Sequence, residues 1–92
     1  MKQEIKRSLS AWTHKDNSLQ RRFKFTSFER ALAFMVECSG HITRDNHHPE
    51  WTNVYDTIDV RYKTHDAGNV VTTRDIHAAR QMEATYQRGY RN

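Results

Sequence analysis

The residues of this chain best suited to chemistry stand together in Asn46-His47-His48-Pro49-Glu50-Trp51, where two adjacent histidines precede a proline and a tryptophan. An imidazole takes and returns a proton near neutral pH, because its unperturbed pKa is about 6.5. Two side by side form a proton-transfer signature. Pro49 confines His48 to extended backbone by ring clash, so at least one of the two imidazoles is held in a definite direction. A third histidine, His65, stands at the far end of the strand-like stretch that follows. Trp51 and Tyr55 can line a pocket for a flat heterocycle or serve equally as core or interface residues.

Extended backbone rises about 3.3 Å per residue, so His48 and His65 cannot meet on one straight element. They meet if the chain turns near Pro49 to Trp51 and returns, laying a short strand that carries His48 beside the long one. Without that turn they are solvated histidines at loop boundaries, the commoner case on residue types alone. Zinc binding by three histidines is the weaker chemistry, because neighbours in extended backbone point to opposite sides. Neither a metal nor a cofactor is expected. His14, His41 and His77 read as surface or helix-end residues, with His41 near the favourable C-terminal end of its helix.

The elements that must position these groups follow from the pattern. Lys2 to Leu9 reads as a short helix, with Ile5 and Leu9 on one face. Trp12 opens an extended segment that stops at the turn-forming Lys15-Asp16-Asn17-Ser18. Leu19, Arg21, Phe23 and Phe25 then alternate with Gln20, Arg22 and Lys24, a strand paired antiparallel to the first. Thr26 and Glu29 have the spacing of a capping box. The helix they announce carries an apolar stripe of Phe28, Ala31, Leu32, Met35 and Val36, widened by Phe34 and Cys38, and should end at or just before Gly40. Ile58, Val60 and Tyr62, with Val54 in the same parity, mark a strand interrupted near Asp56 and running to His65. Asp66-Ala67-Gly68-Asn69 is a loop. A last helix starts at Thr72 with Asp75 at the capping-box position, turns Ile76, Ala79, Met82 and Tyr86 inward and stops at Gly89. The pattern predicts an α+β fold, an antiparallel sheet of three to four strands with helices packed on one face, and residues 1–92 as one domain.

Composition narrows the partners. The formal charge is +4, yet acidic residues interleave the basic ones along most of the chain. They read mainly as a solvated surface, without direct nucleic-acid binding. No apolar run approaches a membrane span and no apolar signal core follows Met1-Lys2-Gln3-Glu4, so the expected location is cytoplasmic. Cys38, the sole cysteine, has no partner for a disulfide and reads as a small buried hydrophobe.

Taken together, these residues resemble the pterin-4a-carbinolamine dehydratases, a family also described as dimerisation cofactors of a hepatocyte homeodomain transcription factor. The likeness rests on His47-His48-Pro49-Glu50-Trp51, Asn53-Val54-Tyr55, Thr64-His65-Asp66 and Arg74-Asp75. Upstream it includes Trp12, Phe23-Lys24-Phe25, Phe28, Ala31, Phe34 and Met35, so it covers the chain from Trp12 onward. It places a catalytic site ahead of solvated histidines. The resemblance implies a small subunit forming homodimers or homotetramers, with a possible protein partner. The implied activity is 4a-hydroxytetrahydrobiopterin dehydratase, converting 4a-hydroxytetrahydropterin to quinonoid dihydropterin and water in tetrahydrobiopterin recycling for aromatic amino-acid hydroxylases. By motif position His47, His48 and His65 carry over as active-site histidines that also bind substrate with Trp51, and Asp75 as the acidic residue near them. Losing water from C4a needs a proton delivered to the hydroxyl and another removed from N5, which one protonated and one neutral imidazole can supply without a metal. His47 and His65 are the expected pair, with His48 orienting the pterin. Asp75 can hold an imidazole in its useful tautomer or stabilise its charged form while also capping the helix.

One residue departs from the family pattern. Thr43 stands where the family usually has an acidic or otherwise ionisable group, and it supplies no charge. The loop from His65 to Asp75 also varies in length within the family. The alternative is therefore a non-catalytic dehydratase-like binding protein, either a transcriptional coactivator or an assembly chaperone such as those associated with Rubisco.

Overall fold

A computed structural model describes residues 9–91. Of the short helix expected over Lys2 to Leu9, only Leu9 falls within the described residues, and it is fully buried. Strands β1 (Thr13–Lys15) and β2 (Ser18–Lys24) form a hairpin through Asp16 and Asn17. Both turn residues are left-handed, φ 53° and 57°, a conformation Asp and Asn tolerate and a tight hairpin requires. Strands β3 (Glu50–Val54) and β4 (Thr57–Tyr62) form a second hairpin, and β4 pairs antiparallel with β2, giving the order β1-β2-β4-β3.

The register puts Leu19 opposite Tyr62, Phe23 opposite Ile58, and Trp51 opposite Val60. These side chains turn to one face, where α1 (Phe28–Asp45) and α2 (Thr73–Gly89) cover them; Phe23 lies 5.0 Å from Phe34 of α1 and 4.8 Å from Tyr86 of α2 between ring centroids. The opposite face is polar, with Arg22 paired to Asp59 at 2.7 Å. The expected α+β class and one-sided helix packing are both present.

Four local expectations are corrected. The reversal that folds the long strand back lies at Tyr55-Asp56, not at Pro49 to Trp51: Tyr55 is left-handed at φ 53°, and the Asn53 amide donates to the carbonyls of Tyr55 and Thr57 across the turn. Helix α1 is capped by Ser27, whose hydroxyl accepts from the Arg30 N–H at 3.1 Å, not by Thr26 with Glu29. Phe25 is still held to the sheet by its N–H on the Asp56 carbonyl, which keeps the chain extended too late for Thr26 to cap. Gly40 lies inside α1, which runs to Asp45 and ends on left-handed Asn46. A helix-interior glycine costs about 1 kcal/mol, less than the roughly 1.5–3 kcal/mol gained by burying a side chain such as Ile42. The apolar residues of α1 also divide between two flanks. Ala31, Phe34, Cys38 and Ile42 are buried, while Phe28, Leu32 and Val36 are 42%, 40% and 72% exposed.

Arg21 departs from the solvated reading of the basic residues. It makes two hydrogen bonds to Glu83 of α2, at 3.0 and 3.1 Å, and lies over the Phe23 ring at 4.2 Å. The Trp12 indole N–H donates to the same carboxylate at 2.8 Å.

Candidate active site

The site is built outward from the first turn of α2. Thr72 is the N-cap and Asp75 completes the capping box as expected, its Oδ2 accepting the Thr72 backbone N–H at 2.8 Å. Packing against the sheet leaves Asp75 fully buried, so its other lone pairs need partners. Thr64, just past β4, donates its hydroxyl to Oδ2 at 2.8 Å. Thr64 Oγ1 in turn lies 2.6 Å from Thr72 Oγ1; with its own proton given to Asp75, it accepts the Thr72 proton. Oδ1 is 2.6 Å from His47 Nε2.

His47 is placed by the end of α1. Left-handed Asn46 turns the chain, and the His47 N–H closes on the Ile42 carbonyl at 3.3 Å. The ring is buried and stacked on Tyr62 at 5.4 Å with 21° between planes. Facing a carboxylate, Nε2 carries the proton, so Nδ1 of the neutral ring is the acceptor. Asp75 thus occupies both geometric positions open to it in the sequence, one oxygen on the cap and one on the imidazole.

The β3–β4 hairpin brings the remaining histidines to the same end. Glu50 pairs with Arg61, so the residues preceding Glu50 and those following Tyr62 lie side by side. His47, His48 and His65 all line one hollow of about 400 Å³, together with Thr64 and Arg74. His65 begins a single 3-10 turn (His65–Ala67) and its Nδ1 is 2.6 Å from Asn69 Oδ1. Arg74 donates to the Asn46 carbonyl at 3.2 Å, tying α2 to the corner that carries His47. A larger hollow of about 710 Å³ lies on the polar face of the sheet beside Gln20, Arg22, Asp59 and Arg61. It contains no imidazole, whereas the smaller hollow is lined by three.

The other sequence candidates lie elsewhere. Trp51 is half-buried against the core and is not part of the hollow's lining; Tyr55 is exposed in the β3–β4 turn. Thr43 is exposed on the last turns of α1 and also lies outside the lining. His14 and His77 are exposed, but His41 is half-buried, and burial holds its pKa below the usual imidazole value. Among the described residues no three His, Cys, Asp or Glu side chains converge as a metal site, and no helix is long and apolar enough to cross a membrane. The sequence alone gave no role to the Thr64 hydroxyl, the Tyr62 ring or the Asn69 amide, and gave the Thr72 hydroxyl only the helix cap. The inward parity of Tyr62 was the only local signal for the other three.

Residues 1–85 match the family model described as pterin 4 alpha carbinolamine dehydratase. The chain belongs to this family. Among curated relatives, proteins named "Putative pterin-4-alpha-carbinolamine dehydratase" from Opitutus terrae and Rhizobium johnstonii are each 42% identical, over 81 and 83 residues. Those alignments take in 88% of this chain in both cases, and 84% and 81% of the respective relatives. A crystal structure described as a transcriptional coactivator/pterin dehydratase from Brucella melitensis is similar with a TM-score of 0.80 and 36% identity, covering 92% of this chain and 95% of the other. Membership in the dehydratase family therefore rests on sequence and fold alike.

Proposed function

We propose that this chain is a 4a-hydroxytetrahydrobiopterin dehydratase acting in pterin recycling, with His47, His48 and His65 at the reacting ring and Asp75 as a positioning residue behind His47. The observation that carries the reading is the Asp75–His47 contact of 2.6 Å at the wall of a hollow that two further imidazoles line. A volume of about 400 Å³ suits a bicyclic ring, within the roughly 300–1,000 Å³ usual for small-molecule sites.

The chemistry needs one base and one acid. Neutral His47 takes the N5 proton on Nδ1 while its Nε2–H stays on Asp75, whose carboxylate stabilises the imidazolium that forms. Protonated His65 gives its Nε2 proton to the C4a hydroxyl, which leaves as water. The electron pair of the N5–H bond becomes the C4a=N5 bond of the quinonoid product, so atoms and charge balance without a metal. His48, exposed at the mouth beside Pro49, orients the pterin. In a stopped-flow assay with synthetic 4a-hydroxypterin, His47→Ala should lower turnover by about 10² to 10⁴, the usual worth of a positioned acid or base. Turnover by that variant at the wild-type rate would remove the assignment.

The exposed flank of Phe28, Leu32 and Val36 on α1 favours a second reading, in which the fold binds protein. Its occupant in the present proposal is a second copy of the chain, forming the homodimer from which a homotetramer could be built. Leu32→Asp, at a position already 40% exposed, should shift sedimentation toward monomer without unfolding the subunit. A wild-type protein that neither dehydrates the substrate nor changes its Trp and Tyr fluorescence with a pterin product analogue would be a binding protein on this scaffold.

A further inference from the structure

We infer that Asn69 is a positioning residue for His65, fixing its tautomer so that Nε2 is the nitrogen that exchanges a proton in the hollow. The inference rests on the dehydratase reading for its kinetic consequence, though not for its geometry. Asn69 Oδ1 lies 2.6 Å from His65 Nδ1, and a carbonyl oxygen accepts without donating. With Oδ1 turned to the ring, Nδ1 of the neutral ring carries the proton and the Nε2 lone pair is free. His65 lines the hollow and Asn69 does not, so Asn69 acts only through the ring.

The loop holds this acceptor in place. The Thr64 N–H bonds to the Val70 carbonyl at 2.9 Å, and the Thr64 carbonyl accepts from Asn69 N at 3.1 Å. This closes the turn between them. Gly68 at φ 89° and Asn69 at φ 62° are both left-handed, which returns the amide toward the ring four residues before it. Asn, Asp and Gly all accept that backbone conformation. The side chain can therefore be changed without straining the loop, and a purely conformational role for Asn69 can be separated from a tautomer role. Protonated His65 then loses its Nε2 proton during turnover, because its Nδ1–H remains on the Asn69 oxygen.

The test uses ¹⁵N-histidine-labelled full-length protein. In the wild type the neutral His65 signals should be those of an Nδ1–H ring. Asn69→Gly keeps the backbone and removes the acceptor, and should move them toward the Nε2–H form. Asn69→Asp restores an acceptor and should return the Nδ1–H form. Turnover should fall about tenfold in Asn69→Gly at nearly unchanged KM, part of the 10² to 10⁴ that a positioned acid is worth, and recover partly in Asn69→Asp. An Nε2–H ring in the wild type, or no change of tautomer in Asn69→Gly, overturns the inference. Failure of the wild type to turn over substrate overturns the dehydratase reading instead, and leaves the tautomer result to be judged alone.

Discussion

Helix α2 carries two buried carboxylates about two turns apart, and their surroundings differ in kind. Glu83 is closed: Arg21 holds both of its oxygens, Trp12 and Gln87 donate to it as well, and its main partner keeps its charge at any ordinary pH. Asp75 is open: its partner is His47, an imidazole that lines a hollow. A buried carboxylate met by a fixed cation is a structural joint. Met by an imidazole with access to a ligand, it can govern a proton.

Replacing each acid by its amide should separate the two. Glu83→Gln leaves a guanidinium buried without its counter-charge and should destabilise the fold by about 3 kcal/mol in a urea titration, with turnover per folded molecule unchanged. Glu83 also sets an acid limit to stability. Burial alone would lift its carboxyl, but the hydrogen bonds from Arg21, Gln87 and Trp12 outweigh burial and hold it below its ordinary value. Its contribution is thus complete above the unfolded value, about 4.3, and is lost as pH falls through the lower folded one. Glu83→Gln should flatten that part of the acid limb.

Asp75→Asn should act the other way, lowering turnover on the order of 10²-fold with a smaller change in stability than Glu83→Gln, since an amide oxygen can still cap the helix. Equal losses of stability in the two variants, with turnover intact in both, would erase the distinction. The smallest effect is expected at Tyr62. Its hydroxyl is buried without a partner among the described residues, and burial raises its pKa. Tyr62→Phe keeps the ring under His47 and should raise stability by up to about 1 kcal/mol, seen as a small increase in the denaturation midpoint.

What could be read from the chain follows from how local each cause is. The cap and inward face of α2 were legible because Thr72, Asp75 and the residues Ile76, Ala79, Met82 and Tyr86 act within a few turns of one helix. In α1 the apolar residues occupy two flanks, and periodicity does not say which one meets the sheet. The histidines declared themselves by type, but their convergence depends on a hairpin turn at Tyr55-Asp56. That turn is held by the Asn53 side chain and places a tyrosine in a conformation tyrosines seldom adopt. Thr64 and Asn69 gained their roles only when the fold set them beside Asp75 and His65.

The double duty of Asp75 has a thermal consequence. Fraying ends are among the first parts of a folded chain to open, and here the opening turn of α2 is also the tether of the His47 ring. Warming that unravels this turn would free the imidazole while the strands remain paired, so under the proposed function turnover would be lost before the sheet melts.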